Sequence, residues 1–253
     1  MNVFKILLDT SASCNYNLNM FKANAKHIKS AQTREEILDS ALELFRQHGF
    51  DATTMRDIAV KAGVALGAAY YYFASKDAIV QAYYEKVQQE HTARLRQMKM
   101  DGLSLRQRLA AVFYSKLDIL ENDRKLLGAI FRYSGEPAHP LSCLGPGTRV
   151  VREQSMQVIA DAVTPEALPA DLQLLLTLGL WALQMGVLIY FIYDDSPQQQ
   201  RTRRLVDGAL EITTFLLRLA RFPLLGFARK KVLALLDEAG LLPQLNHALE
   251  AHS

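Results

Sequence analysis

Between Thr53 and Lys76 the chain reads TTMRDIAVKAGVALGAAYYYFASK, and its side chains are suited to holding an anion against a slim helix. Tyr70, Tyr71 and Tyr72 cannot all face a core, because successive helical residues point about 100° apart. At least one hydroxyl is therefore presented outward, where a phosphate is its natural partner. Ser75 can cap the next helix, and Lys76 in that helix's first turn opposes the helix dipole unless an anion lies beside it. Gly67, Ala68 and Ala69 leave the preceding helix thin enough for its backbone to approach another surface. Such a helix fits a groove of double-stranded DNA, which also supplies the anion.

Short helices must position these groups. The Thr54 hydroxyl and the Asp57 carboxylate stand at capping-box spacing, and Ile58, Ala59 and Ala62 form one narrow apolar stripe. Gly63 offers the left-handed conformation that ends a helix after about two turns, and Val64 anchors the turn to the core. Upstream, Thr33 and Glu36 read as another capping box, followed by Ile37, Leu38, Ala41, Leu42 and Phe45 on one face, with Gly49 ending that helix. Three helices thus precede Ser75, the last two forming a helix-turn-helix. The same pattern could be a packing module. Residues 22 to 99 hold 12 Lys or Arg against 9 Asp or Glu, a modest excess that predicts weak non-specific DNA affinity.

Over Thr33 to Ile79 the sequence resembles the TetR family of transcriptional regulators. Their first domain reads as a capped helix ending in glycine before an aromatic, then T-x-R-D-I-A-x-x-A-G-V, then G-x-x-Y-x-Y-F-x-x-K. Here Gly49-Phe50 precedes Thr54, Arg56-Asp57-Ile58-Ala59 and Ala62-Gly63-Val64, followed by Gly67, Tyr70, Tyr72, Phe73 and Lys76. The resemblance implies that Thr54, Tyr70, Tyr71 and Lys76 grip phosphates, that Arg56, Leu66, Gly67 and Ala68 approach bases, and that Tyr72 does either. Ala65 stands where the family often has Ser, and Leu66 where it often has a polar or basic residue. Arg56 is then left to carry direct readout at guanine, with thymine-methyl contacts and DNA shape supplying the rest.

The 253 residues, half of them apolar, can bury a sizeable core and suit two domains, one small. The expected organisation is a flexible N-terminal extension (1–29), a helix-turn-helix domain (30–76), an effector-binding and dimerisation domain (77–222) and a C-terminal helical extension (223–253). Cys14 and Cys143 lie far apart without metal spacing, so neither a disulfide framework nor a zinc site is expected, and a reducing cytoplasm fits. Cys143 sits in a Gly- and Pro-rich loop with no basic residue close in sequence, which favours an inert thiol over an oxidant sensor. The apolar start is short and broken by Lys5 and Asp9, unlike a signal peptide. Met20 is an alternative start, and Lys22, Lys26, His27 and Lys29 read either as a solvated tail or as an arm touching phosphates.

From Ser75 a helical pattern runs to about Met100 with Ile79, Ala82, Tyr83, Val87 and His91 on one side. Further helices are expected over Leu105 to Glu121, Arg124 to Ser134, Thr148 to Val163, Asp171 to Tyr193 and Gln198 to Phe222, with no alternating strand: the fold class is all-α. The 22 uncharged residues Leu172 to Tyr193 could span a bilayer, which makes a single-span or surface-attached membrane protein the alternative function. Acidic flanks at Asp171, Asp194 and Asp195, with Gln173 and Gln184 inside, favour instead a helix buried on all sides, inward on its own domain and outward on a second copy. Leu205, Ala209, Ile212, Leu216 and Leu219 recur at helical steps, so two such helices from each chain would make a homodimer's four-helix interface.

Gly128, Gly179 and Gly186 beside Phe113, Phe131, Trp181 and Met185 leave room for an apolar cavity among the central helices. The family resemblance places an effector among Phe113, Leu117, Phe131, Trp181 and Gln184, the glutamine serving as polar anchor; ordinary core packing is the competing reading of each. Arg229, Lys230 and Lys231 open a final amphipathic helix that either covers the dimer helices or meets a membrane surface. The six histidines show no ligand spacing, and no nucleophile motif or phosphate-binding glycine loop occurs, so no catalytic residue, metal or cofactor is expected. The resemblance implies a cytoplasmic, ligand-responsive regulator. Its expected action is repression at a pseudo-palindromic operator, relieved by a small, apolar effector through the helix that begins at Ser75.

Overall fold

Thr54 starts α2 (Met55–Lys61) by the reciprocal capping its spacing predicts: Asp57 N–H donates to Thr54 Oγ1 at 3.2 Å, and Thr54 N–H donates to Asp57 Oδ2 at 2.9 Å. Gly63 then adopts φ +67°, and Val64 N–H reaches back to Ala59 O at 3.0 Å, closing the helix and turning the chain into α3 (Leu66–Tyr72). This computed structural model describes residues 28–220 and 226–241, all helix, short 3-10 segments, turns and loops. The arm read for residues 22 to 29 falls mostly outside them, as do the extension before residue 28 and the chain end after 241.

The chain divides after Ile79. In the first unit, α1 (28–48) lays Ile37, Leu38, Ala41, Leu42 and Phe45 against a core completed by Met55, Ile58, Ala69 and Phe73. One local expectation fails. Thr33 does not cap α1, because the helix already runs through it; its hydroxyl instead donates to Lys29 O at 3.0 Å, the back-bond of a threonine inside a helix.

In the second unit, α4 (Lys76–Gln97) continues from its start in the first and buries Val80, Ala82, Tyr83, Gln88 and His91. α5 (Leu105–Leu120) is capped by Ser104 and Gln107 and packs on α7 (Arg149–Val163) and α9 (Gln200–Ala220). α8 (Ala170–Tyr193) packs on α6 (Arg124–Phe131), α7, α9 and α10 (Gly226–Glu238). By length and composition α8 could cross a membrane. Within one chain it buries only the stripe Leu172, Thr177, Leu180, Gln184, Val187 and Phe191, with Ile189, Tyr190 and Tyr193 exposed, rather than its whole circumference.

Two charged residues organise the α8–α9 corner. Arg124 closes α8 by donating to Phe191 O at 2.8 Å, Ile192 O at 3.3 Å and Asp194 O. Asp194, buried, caps α9 by accepting from Thr202 N and Oγ1 at 2.8 and 2.7 Å and from Ser196 N and Oγ at 3.0 and 2.7 Å. Burial alone would raise this carboxyl, but the four hydrogen bonds outweigh it and hold Asp194 well below the usual carboxylate range.

Candidate functional site

In the first unit, Arg56, Leu66, Gly67, Tyr70 and Tyr71 are exposed and Ala68 half-buried, while Ala69 alone of α3 is buried. Tyr71 is 81% exposed; Tyr72 turns back, its hydroxyl 3.2 Å from Ser30 Oγ on α1 and its ring edge-on to Tyr71. Tyr72 is thereby a packing residue in the free protein. Thr54 is exposed, yet its hydroxyl also donates to Asp57 Oδ2 at 2.7 Å, so a phosphate at this corner competes with that carboxylate. These bonds from Thr54 are what hold Asp57 below its ordinary range.

Lys76 has a structural partner that sequence reasoning missed. Its ammonium donates to Phe50 O at 2.6 Å and Asp51 O at 3.3 Å and lies 4.5 Å from the Phe50 ring centre. It closes the turn between α1 and α2 and keeps one N–H for an outside acceptor. The missing side-chain cap on α3 was legible: Ala65 is its N-cap and accepts nothing through its side chain.

The second unit contains a cavity of about 150 Å³ walled by α4, α5, α6, α7, α8 and the 141–148 segment. Phe131 and Trp181 line it. Phe113, Leu117 and Gln184 do not; the first two are buried in the core, and Gln184 Oε1 accepts from the cavity-lining Ser155 hydroxyl at 3.1 Å. Gly179 and Gly186 are exposed on α8 and make no room for the cavity, whereas Gly128 lets α6 approach α8, where a Cβ would meet Ile192 Cγ2 at 3.1 Å.

Polar wall residues escaped the apolar pattern, among them Gln88, Lys116, Arg152 and Ser155. Lys116 and Arg152 are 6% and 5% exposed. Lys116 Nζ donates to Gln88 Oε1 at 2.7 Å, and burial draws its ammonium down to about 7. Arg152 Nη1 donates to Cys143 O at 2.8 Å and Gly145 O at 3.3 Å, which puts a cation beside a cysteine that has none near it in sequence. Nearby His91 meets Val112 O through Nε2 at 3.0 Å, and burial, then the Lys116 charge, draw it down to about 3. Among the described residues no group of His, Cys, Asp and Glu could hold a metal.

A capped helix-turn-helix followed by a larger helical unit with an apolar cavity defines the class of a DNA-binding regulator with a sensor domain. Residues 37–83 match the sequence model described as bacterial regulatory proteins, tetR family, and residues 108–230 match that of the tetracyclin repressor-like C-terminal domain. The regulator AcrR of Shigella flexneri is 31% identical over 156 residues, 57% of this chain and 70% of that protein. SrpR of Pseudomonas putida, also a transcriptional regulator, is 27% identical over 200 residues, 75% of this chain and 87% of its own length. A TetR regulator structure from Nitrosomonas europaea matches the fold with TM-score 0.60 at 19% identity, covering 72% of this chain and 98% of that one. The chain belongs to the TetR family of transcriptional regulators. The membrane alternative for α8 falls with that assignment: the helix is part of a regulator's second domain.

Proposed function

We propose that this regulator is a cytoplasmic homodimer that represses from a pseudo-palindromic operator and is released by a small effector in the α4–α8 cavity. The observation that carries the DNA half is the exposed set Arg56, Leu66, Gly67, Tyr70 and Tyr71 on a capped two-helix frame. Arg56, Leu66, Gly67 and Ala68 approach bases, and Thr54, Tyr70, Tyr71 and the remaining Lys76 N–H hold phosphates. Tyr72 supports Tyr71 from behind. Repression agrees with the repressor-like description of the second domain. For the effector half, Tyr83, Tyr84, Val87 and Gln88 line the cavity and belong to α4, the helix that begins at Lys76. Phe131 and Trp181 serve as apolar walls. Phe113 and Leu117 back the core, and Gln184 acts through Ser155. The domain roles follow: DNA binding before α4, effector binding and dimerisation after it, and α10 as cover on α8. No catalytic role is assigned.

Selection of bound sequences from a random DNA pool tests the reading. Enrichment of two inverted half-sites about one helical turn apart is expected; recovery of no enriched sequence overturns it.

A further inference from the structure

We propose that the ligand of the α4–α8 cavity is a small amphipathic carboxylate, an apolar body whose single negative charge is met by the buried Lys116 ammonium and Arg152 guanidinium. This rests on the reading of the cavity as the effector site and adds the ligand's chemical class.

The walls are apolar over most of their extent, with Leu120, Leu127, Phe131, Trp181, Met185 and Leu188 among them. A cavity of about 150 Å³ admits a body the size of benzene. Into that lining the fold brings two cations, each more than nine-tenths buried. Neither pairs with a carboxylate among the described residues. Lys116 has only the neutral Gln88 amide. Arg152 has two carbonyls and the Thr148 hydroxyl, and its Nε has no partner; Glu153 favours its charge from the next position without bonding it. Burying a cation without a counter-charge costs several kcal/mol, and a well-packed apolar side chain in its place is often no less stable. Two uncompensated cations on one apolar cavity are accounted for by an anion that arrives with the ligand. A carboxylate suits the guanidinium's planar fork and the ammonium's point charge. A cationic ligand would meet repulsion from the guanidinium, and a neutral one would leave Arg152 without a paired counter-charge and Lys116 partly neutral.

A second consequence is proton uptake. His91 from α4 feels the Lys116 charge, while Tyr83 and Tyr84 from α4, Arg152 from α7 and Cys143 from the 141–148 segment share the cavity lining with it. Burial pushes the Tyr84 phenol up and His91 down, so both are neutral near neutrality. With burial drawing its ammonium down to about 7, Lys116 is partly deprotonated near neutrality. A bound carboxylate restores the charge by taking up a proton.

The full-length protein is titrated with phenylacetate, phenethyl alcohol and phenethylamine, and with octanoate, octanol and octylamine, following the fluorescence of Trp181, the chain's one tryptophan. Each acid is expected to bind at least about tenfold more tightly than its alcohol, with the amines weakest. Calorimetry near pH 8 in two buffers of different ionisation enthalpy is expected to show proton uptake for the acids alone. Lys116→Met, checked for fold by circular dichroism, is expected to bring the acids toward their alcohols and remove the uptake; Lys116→Arg is expected to keep the preference without the uptake. Alcohols that bind as tightly as acids overturn the inference and leave the effector reading standing. Acids that bind as expected but leave operator affinity unchanged uphold the inference and overturn the effector reading. If neither the acids nor the alcohols bind, the inference is overturned.

Discussion

At the residue scale, the two glycines that bracket the recognition turn do different work, and the difference is measurable. Gly63 is at φ +67° and stays glycine for backbone reasons, whereas Gly67 lies inside α3, and a Cβ built on it meets nothing within 4 Å. Gly67→Ala therefore has no steric cost in the free protein and lowers the conformational entropy of the unfolded chain, so thermal unfolding should show a gain of about 0.4 to 1 kcal/mol. If α3 presses its backbone into a groove, the same variant loses operator affinity in a gel-shift titration. Stability and binding moving in opposite directions would mark close approach; unchanged binding would remove Gly67 from the interface. Arg56 poses a separate question, since it is the one exposed arginine of α2 and Leu66 and Ala68 offer no hydrogen bond. Arg56→Ala should lose about 1 to 3 kcal/mol at a single base position of a selected operator. Equal losses across all positions would make it a phosphate contact instead.

At the element scale, helix ends decide what was readable. The Thr54–Asp57 box, the Ser75 cap on Ala78 N–H and the glycine stops at Gly49 and Gly63 are local signals, and each forms where its spacing put it. Thr33 carried the same signal and was overruled because α1 has already begun at least five residues earlier. Asp194 shows the opposite case: beside an apolar run it reads as a flank, and only the folded corner makes it the cap of α9. Asp194→Asn should cost about 2 kcal/mol near neutral pH, at the upper end for a cap because the carboxylate is buried. The folded carboxyl titrates far below its unfolded value of about 4, so its contribution is complete above that value and is lost as pH falls toward the folded one. Urea unfolding at pH 7 and pH 3 should therefore show the gap between variant and parent shrinking in acid; a gap that stays constant means the carboxylate charge is not what caps the helix. The charged part of the cavity lining escaped sequence reading for the same non-local reason. Its cations come from α5 and α7, and helical periodicity gave no sign that a lysine or an arginine would face inward.

At the scale of the whole molecule, what one chain leaves uncovered indicates where a second belongs. α9 buries Thr202, Val206, Leu210 and Leu217 inward, while Leu205, Ile212, Phe215, Leu216 and Leu219 remain exposed. Four of those five, all but Phe215, belong to the stripe whose spacing suggested a dimer. α8 adds Ile189, Tyr190 and Tyr193, and its exposed Gly179 and Gly186, with open space where a side chain would stand, permit close approach of a partner helix. The basic start of α10 is partly spent, since Arg229 pairs with Asp171 at 2.8 Å and caps Ala220 O at 2.7 Å, a placement that suits a cover on α8 better than a membrane contact. Exposed apolar side chains on two helices that pack on each other are costly in water and suit the core of an isologous interface. A charge at its centre should break that interface without disturbing the inward face of α9. Ile212→Glu, at a position 60% exposed, should leave the helical signal intact and shift the protein from dimer to monomer in light scattering. If one dimer holds two half-sites, that monomer should lose operator affinity by far more than any single DNA-contact variant, although residue 212 belongs to the second unit and not to the helix-turn-helix. A variant that remains dimeric would move the interface elsewhere, and a monomer that keeps full operator affinity would mean that one helix-turn-helix suffices.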